Sequence, residues 1–342
     1  MDSDQQAKRE RGIAVLFVAL FLLVALWFVS MAIDVGKVMA ARTELQAAAD
    51  AAALAGASAI DPVTGVIDQT LAKVRAAAAA ASNKAYQSVE TAVVIDPEVD
   101  VVFPQPDRVK VTVKRTEDTG NPVVLHFAQT FGLPTIGVQA DATAEAQELN
   151  SICEGLAPFA PDNPPGNIGF FTDCDSAYTL KVGAGGSTAG NFQLLDYADC
   201  NEDDFSGSGG SAVRYYTKYG YQCCVSLGAT FVWTEPGNKV GPLNQGLQYR
   251  WDQDTDQTSH CYQDYQGNGK RIFVTPIVET FADATGKEMV RVVNFAAFFM
   301  TNSPQSSTGH DIVKGQFIQY VAPGDASGPP VDTGIYGLHL VE

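Results

Sequence analysis

The sequence predicts an α+β protein: an N-terminal transmembrane helix continues into an alanine-rich helical stalk with a small antiparallel sheet, followed by a β-rich, sandwich-like distal domain. Three observations predict this architecture: a charge-free apolar run, an alanine-rich segment directly after it, and a change to short apolar runs between turns beyond Cys153. The 342 residues are 46% hydrophobic, enough for two cores. We predict four parts: an N-terminal segment (1–12), the transmembrane helix (13–33), the helical stalk with its small sheet (34–149) and the β-rich, cysteine-containing distal domain (150–342).

The run from Ile13 to Ile33, "IAVLFVALFLLVALWFVSMAI", contains no charged residue. About 21 helical residues at about 1.5 Å each cross a hydrocarbon layer of roughly 30 Å. The run is longer than the apolar core of about 7 to 15 residues in a cleaved signal peptide. An uncleaved signal anchor therefore fits better, with cleavage near "KVMAARTE" as the alternative.

Charges flanking the span predict its orientation. Lys8, Arg9 and Arg11 precede it, whereas Lys37 and Arg42 follow it. The excess of basic residues on the amino side favours an N-terminus inside the cell and the remaining chain outside. The net charge of -17 opposes binding to nucleic acid, whose phosphates require Lys and Arg.

The alanine-rich stretch "LQAAADAAALAGASAI", residues 45–60, predicts that the helix continues to about Ser58 and ends before Asp61-Pro62. A second alanine-rich helix is predicted from Val66 to Tyr86. One polar row recurs at every fourth residue, formed by Arg42, Gln46 and Asp50. The other, small side chains would let a helix of this chain or of a neighbour pack closely, so a homo- or hetero-oligomer through this helix is possible.

Beyond the helices, the hydrophobic period changes to two. "RVKVTVK", residues 108–114, predicts a half-buried strand, and "VDVVF", residues 99–103, predicts its hairpin partner. A short helix is predicted from Pro122 to Phe131, and a further strand over "TIGVQADATAEA", residues 135–146.

From about Cys153, glycine- and proline-rich turns separate short apolar runs, which is typical of an all-β sandwich or barrel-like module. The predicted strands are "AVRYYTKYGY", "ATFVWT", "RIFVTPIVETF", "MVRVVNFAAFFM" and "GQFIQYVAP".

The cysteines all lie in this distal half: Cys153, Cys174, Cys200, Cys223, Cys224 and Cys261. An even number of cysteines in an exported segment favours disulfides. Successive strand residues point to opposite faces, so Cys223 and Cys224 are expected to bond different partners. The alternative is a structural zinc site formed by these two cysteines with His260 and Cys261.

Two acidic loops, "DQDTDQTSH" (252–260) and "DCNEDDF" (199–205), raise the possibility of calcium binding. The first departs from the EF-hand pattern at Gln257 and Gln263, so solvated loops are the favoured interpretation. No nucleophile elbow, P-loop or paired-histidine zinc motif occurs, and the sequence therefore predicts no enzyme, no catalytic, cofactor-binding or metal-binding residues, and no cofactor. A periplasmic hydrolase is a third alternative.

Residues Arg11 to Ala57 combine Arg11-Gly12, an apolar span, Asp34 at its exit and "LQAAADAAALAGA". This pattern resembles the N-terminal domain of the Tad (tight adherence) family of Flp-pilus assembly proteins, the TadG-like or TadE/G-like group. The segments "FAQTFGLPTIGVQADATAEA", "GNFQLLDY" and "TEPGNKVGPLNQGLQYR" are similar to longer members of this group.

The resemblance implies a pilin-like stalk and a non-enzymatic assembly or minor component of a type IV-like Tad/Flp pilus. It also implies a single-pass bacterial inner-membrane protein with a cytoplasmic N-terminus, a periplasmic domain for protein contacts and adhesion, and other Tad/Flp assembly proteins as partners. Pilins cleaved after glycine carry glutamate at the fifth mature position, where this chain has Phe17. The alternative function is a membrane-tethered extracytoplasmic module that binds a glycan or calcium.

Overall fold

The structure is a computed structural model that describes residues 3–83, 93–161, 178–182, 193–197, 205–281, 284–304, 311–328 and 333–341. The chain forms two compact units, the first of residues 1–56, 69–144 and 340–342, and the second of residues 57–68 and 145–339. It is an α+β protein with a long apolar N-terminal helix and a β-rich distal region of antiparallel sheets, as the sequence predicts.

The described helices are α1 (Ser3–Ala57), α2 (Gln69–Ser82), α3 (Gly210–Tyr219) and α4 (Val240–Gln253), with 3-10 helices at Ala128–Phe131 and Tyr262–Asp264. The first strands are β1 (Val101–Gln105), β2 (Arg108–Arg115), β3 (Val123–Val124), β4 (Thr135–Ile136), β5 (Val138–Glu148) and β6 (Ser151–Ile152). The later strands are β7 (Tyr178–Val182), β8 (Leu195–Asp196), β9 (Val225–Ser226), β10 (Phe231–Thr234), β11 (Ile272–Val278), β12 (Met289–Met300), β13 (Asp311–Ile318), β14 (Tyr320–Val321) and β15 (Ile335–Val341).

Helix α1 is unbroken and ends within one residue of the predicted position. Its residues from Val15 to Ile33 expose their large apolar side chains, and by length and composition the helix is a candidate membrane span. Farther along, a stripe that is alanine except for one leucine is fully buried: Ala41, Leu45, Ala48, Ala49, Ala52 and Ala53.

Small side chains allow α1 to pack closely within the first unit. A Cβ atom added at Gly56 would lie 2.9 Å from Val109 Cγ1 of β2 and 3.6 Å from the Cβ of Ala76 in α2. The buried face of α2 is likewise alanine, at Ala72, Ala76 and Ala80. Because the buried stripe of α1 is inaccessible in the single chain, this chain's own residues cover it.

Helix α2 begins at Gln69 rather than at Val66. The preceding residues form a turn, in which the Asp61 carboxylate accepts the N–H groups of Val63 and Thr64 and Ile60 bridges Ile67. The predicted end at Tyr86 lies outside the described residues.

The β1–β2 hairpin is confirmed, with Val101 opposite Val111 and β5 beside β2. The side chains of Val109, Val111 and Val113 are all buried, as their alternation predicts. Strand β5 buries Ala140, Ala142 and Ala144 on one face.

The predicted helix from Pro122 to Phe131 is wrong over most of its length. Val123–Val124 instead pairs with Thr135–Ile136, and only Ala128–Phe131 is a 3-10 turn. The β-branched Val123 and Val124 favour extended backbone. Ile136 consequently lies on a short strand of its own, separate from β5.

The second unit contains a sheet of order β7-β13-β12-β10-β8, with β11 also pairing with β12. Its strands β11 and β12 place Ile272 opposite Phe299, and a buried aromatic core includes Phe273, Phe295 and Phe298. Strand β12 occupies the whole predicted run "MVRVVNFAAFFM". Elsewhere in this unit, β6 pairs with β9 and β14 runs parallel to β15.

The distal region is not all β. The run "AVRYYTKYGY" forms helix α3 instead of a strand, and helix α4 was not predicted from the sequence. Helix α3 buries residues at helical spacing: Ala212, Val213, Tyr216 and Thr217. The strand prediction was wrong because it followed the tyrosines of this run, which favour β-strands. Its partner α4 approaches closely at Gly246, where an added Cβ would lie 2.5 Å from Thr217.

The disulfide prediction is confirmed for the described cysteines. Cys153 is bonded to Cys224, and Cys223 and Cys261 are each in a disulfide as well. The neighbouring residues Cys223 and Cys224 therefore bond different partners. This bonding contradicts the zinc alternative, because sulfurs in disulfides are not thiolate ligands. Cys174 and Cys200 lie outside the described residues.

Replacing a buried alanine of α1 with leucine should destabilise the first unit. For Ala52→Leu we expect a loss of about 1–3 kcal/mol in the free energy of unfolding, because the site is filled. Ala47→Leu places the same change on an exposed position of the same helix and should stay within about 0.5 kcal/mol. Denaturant unfolding of the full chain in detergent measures both. Equal losses would contradict the packing of this face.

Candidate functional site

Asp34 is the first charged residue after the apolar run, and its carboxylate is buried with 5% of the residue exposed. One oxygen, Oδ1, accepts the backbone N–H of His126 at 2.9 Å. The other, Oδ2, accepts those of Phe127 at 2.9 Å and Ala128 at 2.8 Å. The carboxylate thus caps the start of the 3-10 helix, where backbone donors otherwise have no partner within the helix.

Local backbone geometry folds the residues after this cap into a hairpin. Gly132 has a φ of 84°, a left-handed conformation that glycine adopts readily, and it reverses the chain after the 3-10 turn. The segments on either side of this turn are paired: the N–H of Leu125 donates to the carbonyl of Pro134 at 2.9 Å, and β3 pairs with β4. We call residues 123–136, whose 3-10 turn is capped by the carboxylate of Asp34, the clamped hairpin.

An apolar cavity of about 710 Å³ lies between the clamped hairpin and the exit of the apolar run in α1. Trp27, Met31 and Val35 line it from the helix, and Leu125 and Leu133 line it from the hairpin. The indole of Trp27 also meets the ring of Phe131 edge-on, with ring centroids 5.1 Å apart.

The polar groups of this cavity are engaged by the protein itself. Ser30 Oγ donates to the carbonyl of Leu26 at 2.7 Å, and Thr130 Oγ1 donates to that of Phe127 at 2.6 Å. Asp34 is occupied by its three backbone donors. The cavity therefore offers an apolar binding surface.

The carboxylates of the acidic loop at 252–256 bind protein donors. Asp254 accepts the hydroxyl of Tyr265 and faces buried Arg271, with Nε 3.9 Å from Oδ1. Asp252 accepts the side-chain amide of Gln248 at 2.7 Å.

Asp256 organises the turn that follows. It accepts N–H groups from Thr258, Ser259 and Gln266, and hydrogen bonds led by that of the Ser259 hydroxyl hold the pKa of its carboxyl well below the usual range. Among the described residues, no three His, Cys, Asp or Glu side chains are grouped so that they could hold a metal ion. The acidic residues Asp199–Asp204 lie outside the described part of the chain.

The described histidines are dispersed. The backbone of His126 belongs to the clamp, the Nδ1 of His260 lies 3.1 Å from the carbonyl oxygen of Thr301, and the Nε2 of His339 lies 4.0 Å from Glu145. His310 lies outside the described residues.

The chain has a long apolar helix that is a candidate membrane span, followed by a folded region, and this arrangement is consistent with membrane anchoring. Residues 12–59 match the Tad family, described as "Putative Flp pilus-assembly TadE/G-like". The match covers the apolar run, Asp34 and the alanine-rich segment, and it confirms the resemblance of Arg11 to Ala57. No curated protein and no solved structure matches the chain.

Sequence reasoning noted Asp34 as part of a family pattern and missed what it binds. Its partners lie 92 to 94 residues away, and they donate through the backbone, which no residue type reveals. One signal was present: no Asp, Glu, Lys or Arg occurs from Thr119 to Ala140, in a chain that is 18% charged.

Removing the carboxylate of Asp34 should release the hairpin. Hydrogen bonds to charged groups contribute about 1.5–3 kcal/mol each, so in Asp34→Ala we expect amide exchange at His126, Phe127 and Ala128 to rise about tenfold or more. Hydrogen exchange with mass spectrometry of the full chain in detergent measures this. Asp50→Ala is the matched control on the same helix, since Asp50 accepts the side chain of Gln46. Unchanged exchange in Asp34→Ala would contradict the clamp.

Proposed function

We propose that this chain is a non-enzymatic, membrane-anchored assembly or minor component of a Tad/Flp pilus. The match of residues 12–59 to the TadE/G-like family carries the proposal. The partners we propose are other Tad/Flp assembly proteins.

The anchor is the run from Ile13 to Ile33. Between Val15 and Ile33, the large apolar side chains are 45–71% exposed, which is unfavourable in water and favourable in lipid. We propose that the helix is retained as an uncleaved signal anchor in the bacterial inner membrane.

The basic residues before the span support a cytoplasmic N-terminus. The bond between Cys153 and Cys224 supports a periplasmic distal region, because disulfides persist in oxidising compartments. In the periplasm this region would make protein contacts and contribute to adhesion. The acidic loop at 252–260 acts structurally in this proposal, since Asp254 and Asp256 bind the protein's own donors.

Deleting the gene in its native bacterium tests the proposed role. We expect fewer pili by electron microscopy and weaker attachment to surfaces, with both restored by the full chain. A chain lacking residues 13–33 is the control and should not restore them, because it has lost its anchor. Normal pili and normal attachment in the deletion strain would refute the proposal.

Trapping thiols in living cells tests the proposed topology. After rapid acid quenching and denaturation, a polyethylene-glycol maleimide should leave Cys153 and Cys224 unmodified until a reductant is added. Cys153→Ser should add one modification before reduction, because it frees Cys224. Modification of both cysteines in the unreduced parent chain would place the distal region in the reducing cytoplasm.

A further inference from the structure

We propose that the clamped hairpin is a second membrane-contacting element, which lies in the leaflet of the bilayer on the side of residues 34–342. The lipid of the bilayer that α1 spans covers the exposed surface of this hairpin. The inference rests on the span in the proposed function and adds an interaction surface outside the matched residues 12–59.

The depth of the hairpin follows from its contacts with α1. Trp27 lies six residues before Ile33, which is about 9 Å along a helix axis. Because α1 is unbroken there, the contact between Trp27 and Phe131 puts the tip of the hairpin at a level inside the apolar run. Asp34, the first residue after the apolar run, binds the backbone N–H of His126 and so holds the start of the 3-10 turn at the boundary of the run.

The exposed surface of the hairpin carries large apolar side chains beside the polar residues His126, Gln129 and Thr130. Phe131 and Leu133 are 64% and 62% exposed, and Phe127 and Ile136 are exposed as well. The absence of Asp, Glu, Lys and Arg from residues 119–140 removes the groups that are most costly to bring into lipid. This surface is continuous with the lipid-facing surface of the span through the ring contact at Trp27.

The backbone of the hairpin is also suited to a medium with little water, where unpaired polar groups are expensive. Asp34 accepts the N–H groups of residues 126–128. Those of Leu125, Thr130, Gly132 and Leu133 donate to carbonyls within the hairpin itself. The side-chain amide of Gln129 donates to the carbonyl of His126 at 2.8 Å.

The apolar cavity between the hairpin and α1 fits the same occupant. It begins at the level of Trp27 and its lining is predominantly apolar. Acyl chains of the surrounding lipid would fill it, because they are the apolar material present at that depth.

Site-directed spin labelling of the full chain in lipid nanodiscs tests the proposal. A nitroxide is attached at Phe131→Cys or Leu133→Cys, and its accessibility to dissolved oxygen is compared with that to a water-soluble nickel chelate. The parent chain gives the labelling background, since the described cysteines are in disulfides. Phe28→Cys reports a position in the span, and Val99→Cys an exposed position of the first unit outside the hairpin.

We expect the oxygen-to-nickel ratio at Phe131 and Leu133 to approach that at Phe28 and to exceed that at Val99 severalfold. A ratio equal to that at Val99 would overturn the proposal, and so would shielding from both reagents, which would indicate a second copy over the hairpin. A water-like ratio at Phe28 would refute the proposed span, so a failure of the anchor is distinguishable from a failure of the hairpin.

Discussion

The unbroken backbone hydrogen bonding of α1 is the constraint on which the first unit depends. One helix, Ser3–Ala57, carries two surfaces with opposite requirements. From Val15 to Ile33 it exposes large apolar side chains, and from Ala41 to Ala53 it buries alanines together with Leu45. Because the helix does not break between them, each residue that contacts it has a fixed height relative to the apolar run. The small alanine side chains let neighbouring elements pack close to the α1 backbone. At Gly56 the space is so tight that an added Cβ atom would lie 2.9 Å from Val109 Cγ1.

Asp34 uses this constraint to position a distant segment. A buried carboxylate without partners would be costly, and here three backbone N–H groups compensate for its desolvation. The bonds hold the start of the 3-10 turn against α1, and Phe131 at the end of that turn contacts the ring of Trp27. A residue that the family pattern marks only as an aspartate at the exit of a span thus becomes, in this chain, the attachment point of a hairpin.

The second unit is stabilised by different means. Arg271 is fully buried, lies 3.9 Å from Asp254 and has its guanidinium over the rings of Trp251 and Phe299. Aromatic faces and a carboxylate together compensate for burying the charge. The acidic stretch that suggested calcium therefore contributes to the core and to the turn around Asp256, and the disulfide between Cys153 and Cys224 links segments 71 residues apart.

The sequence by itself determined the features that arise from local patterns: the apolar span, the end of α1, the β1–β2 hairpin, strand β12 and the resemblance of Arg11 to Ala57. Each depends on neighbours in the chain, whose spacing shows in the sequence. Only the tertiary structure decided that Gly210–Tyr219 is a helix, since packing against α4 outweighs the strand propensity of its tyrosines. It also decided the clamped hairpin, because the donors to Asp34 are backbone groups more than ninety residues away, and no side-chain pattern encodes such a partner.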